Sequence, residues 1–240
     1  MGDIVKVSWS GGKDSTCAVD LHLERGDYVK AVCYVPMFTD KIPLILKKHH
    51  DFILKTADFF RSKGAEVNII HGQTYWDYVT RVATRGKYKG KIYGFPCPQN
   101  GRCGFKRDSK QKACESFNVG YYDYESIGIA IDEVSRQNQL GNKKRSILCE
   151  MGYTELMATR RCIEKGLYSP HYSTLKRDGC VLCYNAPPCE REMWFLDYPE
   201  ARELVIQLQD IVKEKRPDRP PLRNYEYFIE TDVIQLSIFD

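Results

Sequence analysis

The chain predicts an α/β fold: a doubly wound, mostly parallel sheet that carries a cysteine-rich insertion and ends in a helix and an extended tail. Three observations predict it. Strand-length apolar runs alternate with segments of helical periodicity from the first residues onward. The first such run turns into the first helical segment through a glycine doublet. At 240 residues and 42% hydrophobic, the chain is long enough to bury one sizeable core.

Ile4-Val5-Lys6-Val7-Ser8-Trp9 reads as a buried strand, and Cys17-Ala18-Val19-Asp20-Leu21-His22-Leu23 as the helix after it. Residues 29–35 form a second strand. His50, Ile53, Leu54, Ala57 and Phe60 recur at helical spacing, which predicts an amphipathic helix over 44–62 that Gly64 ends. Residues 66–71 are the third strand and 74–84 the third helix, with Tyr75, Tyr78, Val79 and Val82 on one side. The alternation breaks over 86–103, where six glycines and prolines are interleaved with Lys87, Lys89 and Lys91; so long a loop inside a compact domain is usually functional. Helical periodicity resumes over 105–117. Strands are expected at 126–131 and 147–149, and a helix over 154–166 closes on its glycine. A second irregular zone, 167–188, precedes the last helix, Pro199–Lys215, whose apolar face is Ala201, Leu204, Val205, Leu208, Ile211 and Val212.

Between the first strand and helix stands Ser10-Gly11-Gly12-Lys13-Asp14-Ser15-Thr16. Without Cβ atoms, Gly11 and Gly12 let the backbone take positive φ and approach an anion. The free amides and macrodipole of the helix N-terminus point at the same place. Ser15 or Thr16 is expected to cap the helix, and Lys13 adds a point charge. Asp14 has two readings: a carboxylate for Mg²⁺ on a bound triphosphate, or a favourable charge at the helix start. The spacing matches neither the mononucleotide pattern GxxxxGK[ST] nor the dinucleotide pattern GxGxxG.

The net charge of +4 permits a nucleotide or nucleic-acid partner without demanding one. With no basic-then-apolar leader and no run of about eighteen apolar residues, a cytoplasmic protein is expected. Ten cysteines in a reducing compartment then point to metal or redox chemistry rather than disulfides. Cys17, Cys33, Cys149 and Cys162 lie among apolar residues and read as small hydrophobes. Cys180-x-x-Cys183, in a glycine-led turn, reads instead as a half-site for a tetrahedral thiolate centre.

The loop over residues 10–15 resembles the SGGxDS loop of the PP-loop ATP pyrophosphatases. Glu164-Lys165-Gly166-Leu167-Tyr168-Ser169-Pro170-His171-Tyr172, followed by Leu175-Lys176-Arg177-Asp178-Gly179-Cys180-Val181-Leu182-Cys183, is similar to a stretch of phosphoadenylyl-sulfate (PAPS) reductase-like proteins. That stretch reads H/K-G-L-x-x-N-P-L-Y and then R-x-G-C-x-x-C-P. Gly128-Ile129 and Glu133…Arg136 stand where that family has G-I-R-x-x-E-S-x-R, so the resemblance spans residues 4–200. It implies an adenine nucleotide alpha-hydrolase-like fold in a nucleotide-binding domain over 1–200, including cysteine-rich segments 86–114 and 167–189, followed by a helix and tail over 201–240. It further implies ATP and Mg²⁺ at Ser10, Gly11, Gly12, Lys13, Asp14 and Ser15, and attack at the α-phosphate with pyrophosphate release. Lys13, Asp14, Arg136 and Arg177 are its catalytic candidates. In iron–sulfur members a cysteine pair just before a basic helix completes the ligand set. Here Cys97 and Cys103 precede Lys106 and Arg107, so the resemblance implies a [4Fe-4S] cluster, or Zn²⁺, on Cys97, Cys103, Cys180 and Cys183, with Cys114 and Cys189 in reserve.

Two departures shape the function expected. Ala130 stands where the family has an arginine after Gly-Ile, and no cysteine follows Cys189, where sulfonucleotide reductases carry their nucleophile. The expected activity is adenylation of a substrate for sulfur transfer or nucleic-acid modification. A reductase releasing sulfite and a non-enzymatic nucleotide- or cluster-binding regulator are the alternatives. Lys106, Arg107 and Lys110 fall within about one helical turn, suited to gripping an anionic substrate. His171 is expected to be structural, His49, His50 and His71 not to be ligands, and Tyr121–Tyr124 either to stack on a base or to pack in the core. At the end of the chain, Gln235-Leu236-Ser237-Ile238-Phe239 resembles the Q-L-x-L-F peptide by which bacterial DNA enzymes dock on the sliding clamp, which implies that partner.

Overall fold

The computed structural model of the protein describes residues 2–96 and 103–222. Cys97 and the clamp-like peptide Gln235–Phe239 lie outside the described residues. Five parallel strands form one sheet in the order β3-β2-β1-β4-β5. The central strand β1 (Ile4–Trp9) pairs Val5 with Val29 of β2 (Tyr28–Tyr34), and Val7 with Ser126 of β4 (Tyr124–Ile127). β3 (Glu66–Ile70) and β5 (Lys144–Arg145) extend the two sides. The chain winds outward through β2 and β3, then returns to the other side of β1. The strand order therefore reverses between β1 and β4, and their carboxyl ends flank the crevice where such sheets bind ligands.

Helices cover the sheet because its strands are apolar on both sides. α1 (Lys13–Arg25) packs on β1, β2 and β4, and α2 (Lys47–Ser62) on β3. Val5, Val7, Cys17, Val19, Cys33 and Cys162 are fully or almost fully buried in this core, so the thiols expected to act as small hydrophobes do so at Cys17, Cys33 and Cys162. A second core joins α3 (Tyr75–Thr80), α8 (Pro188–Asp197) and α9 (Pro199–Lys215) to Phe38, Leu44, Phe105, Val181 and Trp194. Trp194, fully buried, donates its indole N–H to the Pro43 carbonyl at 2.9 Å. The Cys180–Cys183 turn is thus fixed in the core that also holds the last helix.

Several elements differ from expectation. Residues 147–149 are not a strand but the start of α6 (Ile147–Glu150), whose N-cap Ser146 accepts from the Cys149 amide. A three-residue apolar run carries no period, so the cap decides. The third helix stops at Thr80, and Val82 pairs antiparallel with Ile92 instead. Residues 44–46 precede α2 as buried irregular chain rather than its first turn. The helix over 105–117 is π-helical at Lys106–Gln111 before continuing as α4 (Lys112–Ser116). α8, opened by Pro188, follows the irregular zone over 167–188, where no element is expected from sequence before Pro199. Among the described residues no helix is long and apolar enough to cross a membrane.

Candidate phosphate-binding site

The loop between β1 and α1 is built around its two glycines. Gly11 adopts φ of 77°, the left-handed region, and a Cβ there would meet Ile53 Cγ1 at 2.6 Å. Gly12 is the helix N-cap, with extended backbone and no side-chain cap. Neither Ser15 nor Thr16 caps α1 as expected. Ser15 Oγ instead accepts from the Ser10 amide at 3.1 Å and bonds the Gly12 carbonyl at 3.0 Å, while Thr16 Oγ1 accepts from the Trp9 indole at 2.9 Å. Both hydroxyls brace the loop from behind, and the Gly12 amide donates to Ser10 Oγ at 3.3 Å. Gly128, at the end of β4, lets that strand pass the first turn of α1, since a Cβ there would lie 2.5 Å from the Ser15 amide nitrogen.

Charge is concentrated at this turn. Lys13 Nζ reaches both carboxylate oxygens of Asp14 at 2.8 Å and Glu155 at 3.6 Å. Burial works against the Lys13 ammonium, but Asp14 and then Glu155 outweigh it and hold its pKa above the ordinary lysine value. Burial raises Asp14, Lys13 opposes, and Glu155 and Glu133 add to the rise. Tyr172 brings its hydroxyl to 3.3 Å from the Lys13 amide, and Asp178 its carboxylate to 3.4 Å from Ser10 Oγ. The 172–178 segment therefore lies over the loop.

Beside the loop opens a cavity of about 400 Å³. Ser10, Tyr34, Tyr75 and Phe105 contribute to its lining, together with three cations, Lys106, Lys110 and Arg177. Cys103, Cys180 and Cys183 line the same cavity. Arg177 is fixed by the almost fully buried carboxylate of Glu190 at 2.8 Å. The fully buried Arg191 donates to the carbonyls of Val181 and Cys183 and so holds the cysteine turn. Arg136 is not in this cavity; it is exposed and pairs with Glu133. Tyr121 is exposed and Tyr124 buried, with an Arg25 amino group 2.5 Å from the Tyr124 hydroxyl, and neither lines the cavity.

Three of the four cysteines expected to bind metal, Cys103, Cys180 and Cys183, gather at this cavity. Among the described residues no group of three or more His, Cys, Asp or Glu side chains is arranged to hold a metal ion. Cys103, Cys180 and Cys183 are free thiols. Burial, with Cys183 and Cys103 adding to it, pushes Cys180 up to about 12, so it is a neutral thiol. Of the reserves, Cys114 packs with Val32, Ile70 and Val119 while Cys189 is exposed. Cys97, the fourth residue of the expected set, lies outside the described residues.

Sequence reading missed a buried pair behind the loop. His49 and His171 stand with ring centroids 4.2 Å apart, and Ser169 Oγ bridges their Nδ1 atoms at 2.9 and 2.7 Å. His49 also bonds the backbone of Ser10, and His171 Nε2 is buried without a partner. Burial pulls His49 down to about 4 and His171 to about 3. Both are neutral and serve as polar struts under the loop. The signal available was the Ser169-Pro170-His171 run, but its contact with His49 spans 120 residues.

These features define an α/β protein whose glycine turn, at the switch point of its sheet, leads into the N-terminus of α1. No family model matches the chain. No curated protein matches it either. Among solved structures, the chain is similar to a 4-thiouridine synthetase in complex with RNA and with ATP bound, at 15% identity and a TM-score of 0.40, over 86% of this chain and 53% of that one. The chain thus spans about half the length of that structure.

Proposed function

We propose that the protein binds MgATP and transfers its adenylyl group to an oxygen of a second substrate, with nucleic-acid modification or sulfur transfer as the outlet. The observation that carries this reading is the Gly11–Gly12 turn. It meets the N-terminus of α1 at the β1/β4 switch point and stands beside a cavity of about 400 Å³ walled by Lys106, Lys110 and Arg177. A cradle of amides with three nearby cations suits a polyphosphate, and the aromatic walls suit a flat apolar group such as a base.

In this reading the loop amides and Lys13 take the leaving pyrophosphate. An acceptor oxygen forms a bond to the α-phosphorus while the bond from that phosphorus to the bridging oxygen breaks, and the electron pair leaves with pyrophosphate. Most of the work is positioning and charge stabilisation. Lys13 must exchange Asp14 for phosphate oxygens, which frees Asp14 to face the magnesium that enters with ATP. Arg177, held by Glu190, balances charge at the cavity wall, and Arg136 acts one step away through Glu133.

The test is titration calorimetry with MgATP, followed by exchange of labelled pyrophosphate into ATP in the presence of candidate acceptors. Lys13→Ala is expected to weaken ATP binding by about tenfold or more, the loss of one charge-assisted contact. No heat of binding to the folded protein overturns the proposal. Binding with no exchange across nucleic-acid and small-molecule acceptors supports a nucleotide-binding regulator instead.

A further inference from the structure

From Tyr78 to Arg107 the sequence contains Arg81, Arg85, Lys87, Lys89, Lys91, Arg102, Lys106 and Arg107, and no aspartate or glutamate. These eight cations exceed the net charge of +4 of the whole chain, so the positive charge is local. The fold gathers most of them on one projection. After α3 the chain turns at Arg81 and forms a hairpin: Val82 bridges Ile92, the Ala83 amide donates to the Lys91 carbonyl at 2.9 Å, and the Gly90 amide to the Ala83 carbonyl at 2.8 Å. Gly86 and Gly90, both at positive φ, shape its tip. Arg85, Lys87, Lys89 and Lys91 are exposed, and none has an ion-pair partner within salt-bridge distance among the described residues.

The hairpin is anchored rather than loose. Arg216, 1% exposed at the end of α9, donates to the Ile92 carbonyl and lies 4.5 Å from the Tyr88 ring. Arg81 lies 4.2 Å from the Tyr93 ring. At the base of the hairpin Arg81, Tyr93, Arg107 and Lys112 line an open groove of about 510 Å³. Its one carboxylate, Asp108, is shared by Arg81 at 2.5 Å, Arg107 at 2.8 Å and Lys112 at 3.5 Å. One acid among three cations leaves the groove positive, and those partners, Arg107 foremost, hold Asp108 ionised well below the usual carboxylate range.

The groove and the cavity share one wall. Lys106 and Lys110 line the cavity, while Arg107 and Lys112 from the same helical segment line the groove. We propose that the 81–93 hairpin and this groove bind the phosphodiester backbone of a single-stranded nucleic acid and lead it past the helical wall to the cavity. Strung cations that outnumber the acids beside them, Asp108 in the groove and Asp218 near Lys91, match a line of phosphates. Tyr88, 40% exposed between Lys87 and Lys89, offers a ring edge to unstacked bases. It is the one apolar side chain among residues 85–90, which is little to insert into a lipid surface. A cavity of about 400 Å³ has room for one nucleotide, which is the ATP of the function proposed above, so the strand stops at its mouth, where a target base must be unpaired to present an acceptor atom. The docking stands without the nucleotide chemistry; delivery to the cavity rests on the function proposed above.

The experiment is fluorescence anisotropy of the full chain with a labelled single-stranded RNA of about 20 nucleotides, across about 50–250 mM NaCl. The triple variant Lys87→Gln/Lys89→Gln/Lys91→Gln is compared with Lys89→Gln alone, with thermal melts confirming the fold. Binding is expected to weaken about tenfold in the triple variant, and the log–log salt slope to shrink by about 2, near 0.7 for each lost contact. Affinity for MgATP is expected to stay unchanged. Absence of salt-dependent RNA binding overturns the proposal, as does a folded triple variant that binds like wild type. Tighter binding to phosphatidylserine vesicles than to RNA also overturns it. If RNA binds through the hairpin while MgATP does not bind at all, the surface stands and the adenylation reading falls.

Discussion

The carboxylate of Asp178 lies 3.4 Å from the Ser10 hydroxyl and fills the space that a Cβ on Gly12 would need. A negative group thus rests on the turn that is proposed to take phosphate, and bound nucleotide must displace it or neutralise it. Two like charges about 4 Å apart repel by roughly 4 kcal/mol at an effective dielectric of about 20, and the exposure of Asp178 lowers that figure. Asp178→Asn keeps the shape and removes the charge. Affinity for Mg-free ATP is expected to rise about fivefold, with less gain at high salt. Weaker binding in calorimetry shows instead that Asp178 is a ligand rather than a stand-in.

The two glycines of the turn are expected to fail differently. Gly11 has φ of 77°, and its Cβ would meet Ile53 and His49, so Gly11→Ala strains both backbone and core. A loss of about 2–4 kcal/mol in urea unfolding is expected. Gly12 has an ordinary φ of −73°, and its Cβ would first meet the end of the Asp178 side chain, which can swing away. Gly12→Ala is expected to cost under about 1 kcal/mol yet to weaken ATP binding by about tenfold, because the methyl stands where phosphate must approach. Equal stability losses in the two variants contradict this geometry.

The contrast shows what the sequence made legible. A strand, two glycines and a helix start in direct succession fixed the loop, because every residue involved lies within a few positions. The parallel sheet was legible for the same reason: alternating apolar periods are local. What escaped depends on distant pairing. Asp178 over Ser10 spans 168 residues, and the His49–Ser169 contact 120. The Cys180–Cys183 turn was read as a half-site, and the structure does bring Cys103 to the same cavity. Residue spacing carries no information on whether thiols converge on one point, and Cys97 lies outside the described residues. Arg136 matched a motif by position, yet its guanidinium is taken by Glu133, three residues away.

Ser126, His22 and Asp27 repeat the connectivity of a hydrolase triad without being one. Ser126 Oγ is 2.8 Å from His22 Nε2, and His22 Nδ1 is 2.7 Å from Asp27 Oδ2. Ser126 and His22 are both 0% exposed, and the chain ties α1 to β4 through them. No substrate reaches a nucleophile so buried. Fluorophosphonate probes are expected to leave the protein unlabelled. Ser126→Ala is expected to cost about 1–3 kcal/mol, because His22 Nε2 is left unpaired, with ATP binding unaffected. Labelling at Ser126 refutes the structural assignment.

Stability should fall as the solution is acidified from neutrality, and the buried histidines set the window. Burial lowers His22, His49 and His171, the last two to about 4 and about 3, against about 6.5 in an unfolded chain. Below pH of about 6.5 the unfolded chain takes up protons that the folded protein refuses, so the unfolded state gains. The contribution of these residues is therefore complete above about pH 7 and is lost progressively toward pH 4. Each adds up to about 1.4 kcal/mol per pH unit, so His49 and His171 together give a slope approaching about 3 kcal/mol per unit near pH 5, to which His22 adds in the same direction. Asp27 and Asp108, both held below their ordinary values, act only at more acidic pH, while Asp14 and Glu190, both raised by burial, take up protons earlier in the folded protein than in the unfolded chain and offset part of the slope. Urea unfolding at constant m-value between pH 7.5 and 5, read beside histidine proton shifts in NMR, measures the slope and its owners. A flat profile through that range, or a His171 resonance that titrates near 6.5, contradicts the buried His49–Ser169–His171 bridge beneath the loop.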